Sequence, residues 1–411
     1  MKKILILIIL LSLLVSCQTE EAKEELTFRI TWKAYSGRGE AIQSIVDVFN
    51  ATEEDYHITV VSGDEDLQLI EESLENKTHD IYVLPYRYIK HFGEAYLMAQ
   101  TPPTEDVFYD SLLDMGQVNK KQYGIPWVSH SMALIYNKTL LDQLSINALQ
   151  IKSKVDFLDV LEDINNKSQV AGIGLVGQEH NDLSWMVNQF ITGQGGLLVE
   201  DNKVALNSPS ALSGLEYYLA LKPYAQEDFI NHNGGDVMKL FREGQVAFEI
   251  QSIWGITEIW KHNNPFEIGV IPLNEIGLAS EVGPKMLTYS KETENQEVID
   301  RFIGFMISKE AQKMILKGEY SPEKNEYYPF RLPIRKDVID EDYRQKYGVF
   351  QVFLDSYEFA SIDVPTEKWM SVKNQIYTPL LHKLLNETID LEEFIEELEK
   401  QANEILGGKD E

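Results

Sequence analysis

Where the aromatic, cationic and imidazole side chains fall bounds the chemistry open to this chain. Trp32 and Tyr35 follow the alternating run "LTFRITW" (26–32), Arg87 follows "DIYVLP", and Trp127 with His130 follows "YGIP". An indole face stacks on the apolar C–H surface of a sugar ring, and Arg, Asn, Asp or His beside it hydrogen-bond the hydroxyls. The eight histidines include no HExxH and no HxH cluster, so a zinc enzyme has no support. No G-x-S-x-G occurs, "ITGQGG" (191–196) lacks the Lys-Ser/Thr of a phosphate loop, and "GIGLVGQ" (172–178) reads as a turn between elements. Nothing among the 66 acids selects one carboxylate pair as a glycosidase dyad. The expectation is no catalytic residue, no metal and no cofactor.

A different chemistry is signalled by Cys17, the single cysteine. Lys2 and Lys3 precede an apolar run from Ile4 to Val15. At 1.5 Å per residue that run spans roughly 18 Å, short of the ~30 Å hydrocarbon core but right for a secretory h-region. Leu14, Val15, Ser16 and Cys17 resemble the bacterial lipobox position by position. The resemblance implies removal of residues 1–16, lipidation of Cys17 and a body held at the outer face of the bacterial cell membrane. Buried acyl chains contribute about 0.8 kcal/mol per CH₂, and two suffice for stable anchoring.

The formal charge is −29, and cleavage would take away two lysines and no acid. Nucleic-acid binding, which needs clustered Lys and Arg, is not expected. Residues 17–25 read as an acidic tether. Beyond it, strands at 26–32, 56–63 and 80–85 alternate with helical patterns at 39–52 and 65–76, the order of a parallel sheet with crossover helices. Further helices are expected at 155–165, 183–194, 208–222, 235–243, 295–316 and 391–406, with strands in 123–137, 266–273 and 283–290 and a strand entering a helix in 246–260. In the last helix Leu391, Phe394, Ile395, Leu398, Ala402 and Ile405 recur at steps of three and four.

Several segments, in order, resemble the bacterial extracellular solute-binding proteins of ABC importers, family 1, which includes maltose-binding protein. Tyr123-Gly124-Ile125-Pro126 followed by Tyr136-Asn137-Lys138 is the most specific. "GGLLVEDNKVALNSPS" (195–210) matches the family's Gly-Gly segment and Asn-Ser-Pro helix cap, with Ser208 as N-cap and Pro209 at N1. "FREGQVAFEIQSIW" (241–254) matches its Phe-x-x-Gly-x-x-Ala stretch and Trp, although Ser252-Ile253-Trp254 stands where Gly-Pro-Trp or Gly-Ser-Trp is common.

The resemblance implies an α/β, two-lobed periplasmic-binding-protein-like fold of type II with a hinge. Lobe one would take 26–129 and 283–333, and lobe two 133–281 and 338–411. Residues 130–132, 282 and 334–337 would be the crossings. Solute would sit between the lobes, at the carboxyl ends of strands. The site set is then Trp32, Tyr35, Arg87, Trp127, His130, Trp185, Trp254 and Trp369, the last in "VPTEKWMSV" (364–372), where the family often has an aromatic. The implied function is a monomeric receptor delivering a sugar or oligosaccharide to ABC permease subunits. The alternatives are the same scaffold holding a polyamine, phosphodiester or peptide-like solute, and a lipoprotein enzyme or adhesin.

Overall fold

The computed structural model describes residues 23–264, 266–361 and 365–407; the segment expected as a signal peptide and Cys17 lie outside them. The strands of its two larger sheets are, in chain order, β1 Glu24–Ile30, β2 Tyr56–Ser62, β3 Ile81–Pro85, β4 Ile125–Ser129, β5 Ala133–Asn137, β6 Ala171–Gly174, β7 Val246–Gln251, β8 Ile268–Ile271, β9 Lys285–Tyr289 and β10 Leu332–Pro333. The first sheet has the order β10-β4-β9-β3-β1-β2, and the second β8-β5-β7-β6. In the first, β1 runs parallel to β2 and β3, while β9 is antiparallel between β3 and β4. In the second, β7 is parallel to β6 and antiparallel to β5. β1 begins at Glu24, inside the segment expected as tether, because Glu24 and Glu25 already pair with Tyr56 and His57.

The helices that concern the site are α1 Gly37–Asn50, α2 Leu67–Glu75, α3 Tyr86–Tyr96, α4 Asn181–Gly193 and α5 Ile253–Trp260. α1 is capped by Ser36 and buries Ile42, Ile45, Val46 and Phe49, the apolar spacing visible in its sequence. These pack with Phe28, Val83, Trp127 and Leu287 in the first core. The second sheet contributes Leu134, Ile173 and Phe248 to another core with Phe190, Tyr217 and Trp369. Each such side chain contributes about 1.5–3 kcal/mol by leaving water. No helix among the described residues is long and apolar enough to cross a membrane.

Three further sequence expectations change. The glycine-rich stretch at 172–178 enters through strand β6 and is not simply a turn. Gly172 and Gly174 lie under helices: a Cβ on Gly174 would meet Val237 at 2.5 Å, and one on Gly172 would meet Leu161 at 3.0 Å. The pattern at 295–316 is two helices, Gln296–Met306 and Lys309–Lys317, because Ser308 leaves the helical backbone to cap the second. In the last helix, Leu391–Gly407, the innermost residues are Phe394, Leu398, Ala402 and Leu406, with Leu406 in the place expected for Ile405. Ser208 and Pro209 do open the helix Pro209–Ala220.

The chain passes between the sheets at 130–132, where β4 gives way to β5, and again ahead of β9. These two passages are zipped together. Met132 N donates to Ser280 Oγ at 2.8 Å, Ser280 Oγ donates to Met132 O at 3.0 Å, and Gly283 N donates to His130 O at 3.1 Å.

Candidate ligand-binding site

One end of the two sheets collects the ends of their elements, and a cavity of about 220 Å³ lies there. Glu65 follows β2, Arg87 lies in the first turn of α3 after β3, and His130 follows β4. From the second sheet, Asn181, Asp182 and Trp185 open α4 after β6, and Trp254 opens α5 after β7. Lys285 begins the antiparallel β9 and Arg331 just precedes β10, so both enter from the same end; Lys373 comes from the helical stretch Lys373–Tyr377. Carboxyl ends of parallel strands place side chains in a crevice with no covering element, which is why ligands bind there.

Two indoles form the apolar wall. Trp185 and Trp254 lie near-parallel, 22° between planes and 6.4 Å between centroids. His130 meets both edge-on, at 5.6 Å and 4.9 Å. Its Nε2 bonds the Glu281 carboxylate at 2.6 Å, and burial lowers its pKa below the usual range against the pull of Glu281. A neutral imidazole donating from Nε2 leaves Nδ1 as an acceptor. Buried polar atoms of the lining without a partner among the described residues include Trp185 Nε1, His130 Nδ1 and Arg331 Nε. Buried polar groups are normally satisfied, so these are donors and an acceptor available to a hydroxylated ligand.

Charge is concentrated in the rest of the lining. Glu65 pairs with Arg87 at 2.8 Å and also with Lys285. Burial alone would raise the Glu65 carboxyl, but Lys285 and Arg87 outweigh it and hold it at about 2. Burial pushes the Lys285 ammonium down to about 8, Glu65 opposing, and pushes the Arg331 guanidinium down to about 9, with Arg38 adding to the effect. Arg331 lies over the Trp254 ring at 4.4 Å and the Trp32 ring at 5.2 Å, contacts that favour a desolvated cation. Among the described residues no group of His, Cys, Asp and Glu is arranged to hold a metal.

Of the residues singled out from sequence, Arg87, His130, Trp185 and Trp254 line this cavity together. Trp32 stands behind them, edge-on to Trp127 at 6.4 Å and to Phe330 at 6.0 Å. Trp127 and Trp369 are wholly buried in the two cores, and Tyr35 is 75% exposed. Sequence reading passed over Glu65, Asn181, Asp182, Lys285, Arg331 and Lys373. The strand-end rule would have reached Glu65, two residues beyond "TVVSG". Lys285 and Arg331 precede antiparallel strands, where that rule does not look. A larger cavity of about 780 Å³, bordered by Lys90, Asn119, Asn202 and Lys368, has no aromatic ring in its lining and so lacks an apolar platform.

Two mixed sheets, zipped passages between them and a lined cavity at their shared end define a two-lobed α/β solute-binding protein. The description "bacterial extracellular solute-binding protein" matches residues 33–313, and the chain belongs to that family. A maltooligosaccharide ABC transporter solute-binding lipoprotein of Streptococcus pneumoniae is 21% identical over 342 residues, 78% of this chain and 76% of that one. Maltose-bound MalE3 of T. maritima superposes with a TM-score of 0.77 at 16% identity, covering 92% of this chain and 98% of the other. The GacH receptor of Streptomyces glaucescens, solved unliganded and with acarbose, gives 0.78 at 18% identity, covering 95% and 100%. At such identities the structures establish the shared fold.

Proposed function

We propose that this chain is a lipid-anchored extracytoplasmic receptor that closes on a sugar in the cavity between its lobes and delivers it to an ABC importer. The observation that carries the reading is the Trp185–Trp254 wall with His130 between the sheets. The ligands bound by its structural relatives, maltose and acarbose among them, support sugar as the class. At about 220 Å³ the cavity is smaller than the ~300–1,000 Å³ that holds a drug-sized ligand, which favours one or two sugar rings over a long chain. Arg87, Lys285, Arg331 and Lys373 in the lining disfavour a polyamine. The receptor's work is a population shift: a solute touching both lobes stabilises the arrangement in which they meet, and the importer recognises that arrangement. No bond is made or broken in it.

A thermal-shift series with mono- and disaccharides tests the reading. A ligand at 100 times its Kd adds about 2.7 kcal/mol of apparent stability. We expect a clear shift with one sugar class in the native protein and its loss in Trp254→Ala. Shifts with polyamines alone, or an equal shift in Trp254→Ala, would count against it.

A further inference from the structure

Arg331 is the group the rest of the molecule leaves unexplained. Its side chain is 6% exposed, yet no carboxylate among the described residues lies within salt-bridge distance of it. Its hydrogen bonding amounts to one long contact, Nη1 to Phe330 O at 3.4 Å, and Nε has no partner. The indoles of Trp32 and Trp254 offset part of the charge but accept none of the in-plane N–H bonds. Burying an ion without an opposite charge costs several kcal/mol, and removing the charge is the usual outcome where nothing requires it.

The surroundings repeat the same sign. The lining holds four cations, Arg87, Lys285, Arg331 and Lys373, against two carboxylates, Glu65 and Asp182. Glu65 is already shared between Arg87 and Lys285. Asp182 accepts from Gly234 N at 3.0 Å and pairs with His180. Glu281, behind the wall, is held by His130. Four cations in one lining stand out in a chain of formal charge −29, so the cluster is a local construction and does not follow from composition.

We infer that the solute of this cavity is an acidic sugar whose carboxylate or phosphate docks on Arg331, while its ring lies against Trp185 and Trp254. This rests on the sugar-receptor reading and specifies the substrate class. A guanidinium presents its N–H donors as a planar fork that matches two oxygens of either anion. The neighbouring indole supplies the apolar surface for the ring, and Trp185 Nε1 and His130 Nδ1 remain for its hydroxyls.

Isothermal titration of the purified protein with D-glucuronate, D-galacturonate and D-glucose 6-phosphate, beside D-glucose, D-galactose and maltose, decides it. The expected result is at least about tenfold tighter binding of one acid than of its neutral counterpart. Tight uronate binding identifies a carboxylate as the docked group, and tight sugar-phosphate binding a phosphate. Arg331→Gln should lose about 10- to 100-fold in affinity for the acid with an unchanged or raised melting temperature, since an uncompensated buried charge is gone. Arg331→Lys, which keeps charge and loses the fork, should bind less well than the native protein. Neutral sugars bound as tightly as the acids, or selectivity unchanged in both variants, would overturn the acidic-sugar assignment and leave the receptor reading standing. Failure of all six sugars would remove both.

Discussion

Glu249, in the middle of β7, is a carboxyl with no exposure, and neither of its oxygens has a partner among the described residues. Burial raises its pKa well above 4.5. The unfolded chain releases this proton near pH 4.5 while the folded state retains it, so this residue's contribution to stability falls as pH climbs above that value. Urea unfolding of Glu249→Gln should lack this downward slope and show equal or greater stability at pH 7.5, by up to about 1–3 kcal/mol. A slope identical to that of the native protein would refute the account. "VAFEIQ" reads as a strand, and nothing in those letters tells that Glu249 points inward without a partner. The same limit applied at the site. Trp185 and Trp254 were legible because few residue types offer a large apolar face. Lys285 and Arg331 were not, since a lysine or arginine at a strand end is ordinarily solvated.

At the scale of elements, period-2 and 3.6-residue patterns located nearly every strand and helix that builds the site. What they missed were interruptions set by tertiary contact. Ser308 splits one helix, and the glycines of β6 are fixed by Val237 and Leu161 pressing on them. α3 was missed because "YRYIKHFGEAY" begins directly after a proline with no side-chain cap. The passage ahead of β9 is similarly constrained by its neighbours. A Cβ on Gly283 would come within 2.4 Å of His130 Cε1 and 3.0 Å of Glu281 Oε1. Gly283→Ala should therefore cost about 1–3 kcal/mol and weaken solute binding by moving His130. Gly304, inside the helix Gln296–Met306 with nothing within 4 Å of an added Cβ, is the control. Gly304→Ala should gain up to about 1 kcal/mol and leave binding unchanged. Equal effects of the two substitutions would show that His130 does not depend on the glycine.

Across the whole molecule, the two lobes share more than the chain passing between them. Arg38 of α1, beside the first sheet, reaches Glu258 of α5, beside the second, at 3.0 Å and Glu319 at 3.2 Å. Lys261 closes the cluster, 2.8 Å from Glu258 and 3.3 Å from Glu319. These ion pairs tie an element beside the first sheet to one beside the second. Half-buried pairs of this kind are worth more than exposed ones. Arg38→Met should widen the ligand-free protein, read as a larger radius of gyration in X-ray scattering, and saturating solute should restore the native value. No change in the ligand-free value would assign the cluster to local stability alone. The overall architecture was readable because several family segments occur in order; this cluster was not, because its members are 220 and 281 residues apart. The stacked guanidinium has one more consequence. Arg331 lies 4.4 Å from the ring of Trp254, so an anion that drew the cation off that ring would alter the indole's emission, and the receptor would report its own occupancy as light, with no dye attached.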